Sequence, residues 1–254
     1  MNLLSRALCI CALAGVAACG GSKPEPAPAA TPQAKHVDQA TAGSISGVIK
    51  FDGKVPEAET IRLSKDCVAG PGPNPQNEAV LASADGALQN VFIYVREGLD
   101  PKYTFDTPVT PVELKQTGCI YRPRVMGVQV GQPIDVTNAD PTLHNVHALP
   151  MVNSEFNKHQ PKQNDHMTHV FTAPEVMVKF KCDVHPWMAS WVGVVAHPFF
   201  AVSDQNGHFD IKGLPPGKYT LEAWHETFGR QTVIATVDEH QAQSVSFTFK
   251  AAGK

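Results

Sequence analysis

Short segments rich in β-branched and aromatic residues recur along the chain from residue 45 onward, each bounded by Gly, Pro, Asn or Asp. Several of them alternate apolar with polar residues, which is the two-residue period of a half-buried strand. No stretch shows an apolar stripe at helical spacing for more than a turn or two. The pattern therefore predicts an all-β protein, a sandwich or a barrel. The expected strands are 45–51, 91–96, 109–114, 125–130, 134–138, 169–173, 176–181, 191–197, 199–203, 209–211, 218–224, 230–237 and 244–250.

The N-terminus is typical of an export signal. Arg6 precedes the apolar run 8–16, which is too short to cross a membrane as a permanent helix. The small residues Val-Ala-Ala then lead directly into Cys19, a pattern that resembles the bacterial lipobox, in which the cysteine after the signal is lipidated. We expect residues 1–18 to be a lipoprotein signal peptide and Cys19 to carry the lipid. An ordinary signal peptide cut near Ala18 is the alternative.

Composition divides the rest of the chain. Residues 19–43 are rich in Pro and Ala and almost lack large apolar side chains, so they are expected to form a flexible tether. About 210 residues follow, enough for one large or two small domains, and a boundary is expected near His197-Pro198. The first domain would span residues 44–197, with an N-terminal extension of unassigned role, and the second would span residues 198–254.

The second domain contains two turn sequences. Residues 204–207, Asp-Gln-Asn-Gly, are suited to a hairpin turn, and residues 213–219 read Gly-Leu-Pro-Pro-Gly-Lys-Tyr. The latter turn resembles that of the carboxypeptidase-regulatory-like modules, which are small β-sandwiches of secreted proteins. The resemblance implies a small β-sandwich here.

Charge and hydropathy exclude two kinds of partner. The 21 basic and 24 acidic residues form no basic block, so nucleic acid is not an expected partner. Beyond the signal, no apolar stretch approaches the length of a membrane span. We therefore expect the membrane to hold the protein through the lipid alone.

Residues 182–188, Cys-Asp-Val-His-Pro-Trp-Met, carry three potential metal ligands on one loop. Pro186 disfavours helix at His185, so the segment is expected to turn between two strands. The thiolate of Cys182 and the thioether of Met188 favour a soft metal. A further ligand must come from a neighbouring strand. His144 and His147 are three positions apart and point to opposite faces if that segment is extended, so only one of them can bind the metal.

The order His-Asn-Val-His followed by Cys-x-x-His-Pro-x-Met resembles the amicyanin- and plastocyanin-like cupredoxins over residues 125–197. The resemblance implies a Greek-key sandwich that holds one copper ion cycling between Cu(I) and Cu(II). It selects His144 over His147, so the implied ligands are His144, Cys182, His185 and Met188. It further implies that the backbone amide of Asn145 donates to the sulfur of Cys182.

The same resemblance implies a one-electron carrier rather than an enzyme, and the N-terminal signal implies export to the periplasm or cell exterior. The outer edge of His185 is expected to emerge beside Pro186 and Trp187, where redox proteins such as cytochromes, dehydrogenases or oxidases would dock. Two other functions stay open. One is a lipoprotein that buffers or delivers copper, and the other is a docking lipoprotein of a membrane redox complex.

Cysteine pairing and the remaining histidines complete the expectations. With Cys19 lipidated and Cys182 on the metal, Cys67 and Cys119 are expected to form a disulfide, the alternative being two buried thiols. A disulfide cysteine at position 182 and a zinc site are the competing interpretations of the loop. The histidines of residues 158–169 indicate a solvated loop or a site of transient copper capture. His225-Glu226 lacks the second histidine of a metallopeptidase motif.

Overall fold

The computed structural model describes residues 34–67 and 74–251. The expected signal peptide, the lipidation site Cys19 and most of the expected tether lie outside the described residues. Within them the regular structure consists of sixteen strands and one 3₁₀ turn at Lys65–Cys67, so the all-β class is confirmed. No helix in the described part of the chain could cross a membrane.

The strands assemble into four sheets, which pair as two sandwiches. The strands are β1 Gly43–Asp52, β2 Phe92–Glu97, β3 Val112–Thr117, β4 Ile120–Arg122, β5 Val125–Gln129, β6 Pro133–Asn138, β7 His144–Leu149, β8 Phe156–Gln160, β9 His166–Val170, β10 Glu175–Lys181, β11 Ala189–Val195, β12 Phe200–Val202, β13 His208–Leu214, β14 Gly217–His225, β15 Gly229–Val237 and β16 Ala242–Lys250.

The first sandwich is built from β3 to β11. One of its sheets has the order β5-β11-β10-β7-β8, and the other has the order β4-β3-β6-β9. Alternate residues of both sheets point inward, as the two-residue period of the strands requires. Their side chains form one buried cluster that includes Leu114, Val136, Val146, Phe180 and Val192.

The second sandwich joins strands from both ends of the described chain. Its sheets have the orders β13-β1-β16 and β12-β2-β14-β15. β1 runs antiparallel to β13 and parallel to β16, while β2 runs antiparallel to both β12 and β14. β1 and β2 are therefore interior strands of their sheets. Their side chains and those of the C-terminal strands form one hydrophobic core.

This pairing corrects the expected domain limits. A boundary near His197-Pro198 does separate β11 from β12, but residues 43–52 and 92–97 do not belong to a 44–197 domain. They complete the sandwich that was expected to occupy residues 198–254 alone. The physical reason is that, within residues 198–254 alone, β12, β13 and β16 would lack the neighbouring strands β2 and β1 with which they pair. The first sandwich is thus inserted into the second.

The two sandwiches meet at a small aromatic interface. The ring of Phe92 on β2 lies over Gly127 and Gly193, which are paired neighbours on β5 and β11. A Cβ atom at either glycine would overlap this ring. Beside them the rings of Trp191 and Trp224 lie 5.0 Å apart. Close backbone approach, rather than turn geometry, explains glycine at these two strand positions.

Residues 61–67, which we call the strap, connect to the first sandwich. Leu63 packs against the core of that sandwich, and Cys67 is joined to Cys119 by the disulfide that the sequence predicts. Cys119 lies between β3 and β4, at one end of the sheet. The disulfide therefore fixes the strap at that end of the sandwich.

Candidate metal centre

Three neighbouring strands bring the expected ligands together. β10 lies between β7 and β11 in one sheet. His144 is the first residue of β7, Cys182 directly follows β10, and Met188 directly precedes β11. The Met188 amide donates to the carbonyl of His185 at 3.0 Å, so the loop between β10 and β11 closes as a turn. All four side chains are 0 to 1 % exposed.

Three of the four donor atoms converge. The Nδ1 atoms of His144 and His185 are 3.0 Å apart. The sulfur of Cys182 lies 4.0 Å from the first and 3.9 Å from the second. Metal bonds of about 2.0–2.1 Å to nitrogen and about 2.3 Å to sulfur, as in zinc sites, allow one ion to touch all three atoms. The donors therefore fit a single metal ion.

A carboxylate fixes the tautomer of His144. Asp140 is buried, and its two oxygens accept the backbone N–H groups of Gly118 and Cys119 at 2.7 and 2.8 Å. The Nε2 atom of His144 lies 3.0 Å from the same carboxylate and must be its third donor. Burial also holds the pKa of His144 below its usual value, so the ring is neutral with its Nδ1 unprotonated.

A second carboxylate does the same for His185. The Nε2 atom of His185 donates to Oδ2 of Asp66 at 3.1 Å. Asp66 belongs to the strap, and its carboxylate also accepts the hydroxyl of Thr142 at 2.8 Å. Hydrogen bonds from Ser64 and Thr142 hold the pKa of Asp66 well below its usual range, so this group is ionised. His185 accordingly carries its proton on Nε2.

With a carboxylate at the far nitrogen of each ring, the two histidines turn their Nδ1 atoms toward each other. At 3.0 Å these atoms are linked by one proton that a ring donates to the other, or by one metal ion that both bind. A carboxylate on the far nitrogen of a ligand histidine is the usual means of orienting the ring and strengthening its donor atom. The arrangement has the features of a preformed metal site.

The donor set favours copper among the candidate metals. The described residues contain one free cysteine, Cys182, which excludes a disulfide at this position. Met188 is packed in the same buried cluster as Cys182, at the end of the ligand loop. Thiolate, two imidazoles and a thioether are typical of copper, whereas zinc prefers sulfur, nitrogen or carboxylate donors without thioether. Coordination by Met188 remains a prediction.

Asn145 contacts Cys182 through its side chain rather than through its backbone amide. Its Oδ1 atom accepts the Asp183 amide at 2.7 Å and lies 3.3 Å from the sulfur of Cys182. The observed contact is thus not the expected donation from the Asn145 backbone amide. The side chain is placed by bonds from its Nδ2 to Asn157 and Asp183.

His147 lies outside the site. Its Nδ1 atom is 2.9 Å from Asp183 Oδ2, and its Nε2 atom is 2.6 Å from Glu155 Oε1. Because β7 is extended, His144 and His147 point to opposite faces of the sheet. The structure thus places the histidine that the cupredoxin resemblance selects beside Cys182 and His185.

The expectation that the edge of His185 emerges at the surface is wrong. The side chain is 1 % exposed because the strap covers it with Asp66. Trp187 is half-buried, packs against His185 with ring centroids 5.3 Å apart, and donates its indole N–H to the Cys119 carbonyl at 2.9 Å. Pro186 is exposed. A docking patch at Pro186 and Trp187 remains a prediction, but it does not include the imidazole edge.

The other histidines contribute no ligand to this site. His169 packs between Phe156 and Phe171, and His159 and His166 are exposed on β8 and β9. The Nδ1 atom of His225 accepts the amides of Thr227 and Phe228. Glu226 is paired with Arg124.

Two functional residues were not predicted, Asp66 and Asp140. Asp140 lies four positions before His144, a spacing that could have indicated its role. Asp66 is adjacent to Cys67, and the disulfide partner Cys119 donates to Asp140. The Cys67–Cys119 disulfide therefore connects Asp66 to Asp140. No local sequence pattern, however, places these two aspartates beside the histidines.

Comparisons with known proteins give only partial likenesses. No family model and no curated protein matches the chain. A purple cupredoxin from Nitrosopumilus maritimus is 26 % identical over 32 % of this chain and 97 % of its own, with a TM-score of 0.28. A mutant of amicyanin in its Cu(I) form is 20 % identical over 40 % of this chain and 97 % of its own, with a TM-score of 0.30.

A copper-containing nitrite reductase from Thermus scotoductus is 18 % identical over 57 % of this chain and 28 % of its own, with a TM-score of 0.29. All three TM-scores lie below 0.5, which is too low to infer a common function. These three structures are a cupredoxin, an amicyanin mutant and a copper-containing nitrite reductase, and the function of this chain is inferred below from its own residues.

Proposed function

We propose that the protein is an exported, lipid-anchored copper protein that carries single electrons through one mononuclear site. The observation that supports this most directly is the convergence of the Nδ1 atoms of His144 and His185, which are 3.0 Å apart, with the sulfur of Cys182 within 4.0 Å of both. Two histidines, a cysteine and a weak methionine ligand are typical of blue-copper electron-transfer sites. Bound copper would supply one-electron exchange between Cu(I) and Cu(II).

Each residue of the site has a defined part in this proposal. His144 and His185 would hold the copper through Nδ1, Cys182 would bind it as a thiolate, and Met188 would add a weak thioether donor. Asp140 and Asp66 keep both rings in the binding tautomer before the metal arrives. A site that is already organised changes little between oxidation states, which favours rapid electron exchange.

Burial supports a carrier over the other functions. The four side chains are at most 1 % exposed, so substrates have little access to the metal. A cleft of about 840 Å³ between the sandwiches contains none of these four residues. A protein that buffers or delivers copper must also open its site to release the ion, whereas all four side chains are buried and the strap covers His185 with Asp66. We therefore favour electron transfer over copper delivery and over catalysis.

The proposal also covers the N-terminal signal and the second sandwich. We infer export and lipidation at Cys19 from the N-terminal sequence, with redox proteins of the periplasm or cell exterior as partners. The second sandwich is proposed to be a carboxypeptidase-regulatory-like module. Its turn at residues 213–219 has Gly213 at a φ of 73°, and the hydroxyl of Tyr219 donates to the carbonyl of Pro215. Such a module would suit docking to a larger membrane complex.

One absorption measurement tests the proposal. The Cu(II) protein should be intensely coloured, since a thiolate bound to copper gives a strong charge-transfer band in the visible range. Cys182→Ser should remove the band while leaving the Cys67–Cys119 disulfide intact. Retention of zinc in preference to copper, or a colourless Cu(II) form, would overturn the proposal.

A further inference from the structure

Asp66 of the strap covers His185 and is itself held in place. Its carboxylate accepts a hydrogen bond from Nε2 of His185 at 3.1 Å and one from the hydroxyl of Thr142 at 2.8 Å. Thr142 itself lies two positions before the ligand His144. The carboxylate thus bridges the ligand loop and the segment that carries the other histidine.

The disulfide holds this cover in place. Cys67 directly follows Asp66 in the 3₁₀ turn, and both sulfurs lie within 4.8 Å of a ring nitrogen of His185. The carbonyl of Cys119 accepts the indole N–H of Trp187, whose ring packs on His185. Asp66, the disulfide and Trp187 therefore form one connected unit around the imidazole.

A carboxylate at this position should act on the metal through the ring. Hydrogen bonding to ionised Asp66 increases the electron donation of Nδ1 and adds negative charge near the site. Both effects stabilise the more highly charged Cu(II) over Cu(I). Changes of this kind alter metal affinity about 10- to 100-fold. The Asp66 side chain is 50 % exposed, so solvent screening places its effect near the lower limit.

We infer that Asp66 is a positioning residue for His185, which fixes the tautomer of the ring and favours the oxidised state of the bound metal. The inference rests on the proposed copper site, but its first part concerns the metal-free protein as well. The carboxylate acts from the strap, a segment outside the sheets that hold the ligands. The strap thereby has a defined role beyond its contribution to folding.

The experiment compares Asp66→Asn with Glu59→Gln. Glu59 is an exposed acid two positions before the strap, and its side chain makes no hydrogen bond or ion pair in the described structure. Nitrogen NMR of the metal-free protein should show His185 with its proton on Nε2, slow to exchange with solvent. Asp66→Asn should speed that exchange at least tenfold, whereas Glu59→Gln should leave it unchanged. Equal exchange in wild type and Asp66→Asn would overturn the tautomer role.

The copper-loaded protein supplies the second measurement. Asp66→Asn should weaken Cu(II) binding about tenfold relative to Cu(I), which equals a rise of about 59 mV in the one-electron reduction potential. Glu59→Gln removes the same charge without the contact and should shift the potential far less. Asp66→Glu should restore part of the difference. A potential that moves equally in both neutral variants would show that Asp66 acts only as a distant charge and would overturn the inference.

A second variant tests the role of Asp66 if Asp66→Asn does not fold. If Asp66→Asn fails to fold, Thr142→Val removes the hydroxyl that fixes Asp66 and should raise the potential in the same direction by a smaller amount. An unchanged potential in Thr142→Val would then contradict the inference. A wild-type protein without a coloured Cu(II) form would refute the copper proposal, while the NMR comparison would still decide whether Asp66 orients His185.

Discussion

The ring of Phe92 in the second sandwich lies directly against the backbone of Gly193 in the first. A methyl group at this glycine would overlap the ring. We expect Gly193→Ala to lower the free energy of unfolding by about 1–3 kcal/mol, the usual cost of overpacking a core. Urea denaturation measures the change. In a Phe92→Ala background the space is already open, so the same substitution should cost much less there; an equal cost in both backgrounds would contradict this packing.

Substitutions can distinguish the proposed copper ligand His144 from His147 on the same strand. His144→Ala should abolish the visible charge-transfer band, because His144 Nδ1 faces His185 across 3.0 Å. His147→Ala should leave the band largely intact, since that ring is bound to Asp183 and Glu155 on the other face. Absorption and paramagnetic resonance spectra of both variants check the prediction. The reverse outcome would indicate a strand register displaced by one residue.

Acid should destabilise the second sandwich through His225. Burial, and then the charge of Arg124, lowers the pKa of His225 from 6.5 to about 4. Between these values the unfolded chain binds a proton that the native protein does not, so stability is lost as the pH falls from 6.5 toward 4. The full loss is about 3 kcal/mol at 1.36 kcal/mol per unit of pKa.

Urea unfolding at pH 7 and pH 4.5 measures this loss. His225→Asn is the matched control, because its side-chain oxygen can replace Nδ1 as the acceptor for the amides of Thr227 and Phe228 without titrating. The difference in stability between the two pH values should be smaller in the variant. An identical pH dependence in both proteins would assign the acid sensitivity to other groups.

The disulfide should contribute strongly to the stability of the strap. It joins cysteines 52 positions apart, for which loop closure predicts a loss of about 4 kcal/mol on removal. The double variant Cys67→Ser/Cys119→Ser should therefore unfold at a clearly lower urea concentration. Peptide mapping of unreduced wild-type protein should recover the Cys67–Cys119 bridge with Cys182 unpaired. A bridge to Cys182 would make its thiolate unavailable and remove the basis of the copper proposal.

The proposed membrane attachment depends on Cys19, which lies before the described residues. Cys19→Ser should release the protein from the membrane fraction or block its processing, since the lipid is proposed to be the only anchor. Fractionation and mass analysis of the mature N-terminus check this. A wild-type N-terminus at another residue, without attached lipid, would rule out lipidation at Cys19.

Local chemistry made part of the site predictable. The loop from Cys182 to Met188 carries its donors within seven residues, and the alternation along β7 separates His144 from His147. These features depend on neighbouring residues and on the two-residue period of a strand. Asp66 contributes from 119 positions before His185, and no sequence pattern connects residues so far apart. The covered imidazole was consequently not foreseen.

In the sheets, too, local sequence predicts the strand positions, whereas distant contacts determine which strands pair. Segments with clear alternation, such as β10 and β14, lie close to their expected positions, whereas β9 spans residues 166–170 rather than 169–173. β4, which has three residues, was not predicted as a strand, since it is shorter than the alternation needed to recognise it. The placement of β1 between β13 and β16 depends on contacts between the two ends of the chain. Periodicity reveals that a strand exists, and its partners are set by packing.

The insertion of one sandwich into the other has a consequence for folding. β1 pairs with β16 across roughly two hundred positions, so the sheet they share cannot form until nearly the whole chain is available. The strands of the first sandwich are contiguous in sequence and can pair earlier. Contacts of such high sequence separation form slowly, because loop closure precedes the gain from pairing. We therefore expect the first sandwich to fold first. β1 and β2 should stay unpaired until the C-terminal strands with which they pair are available.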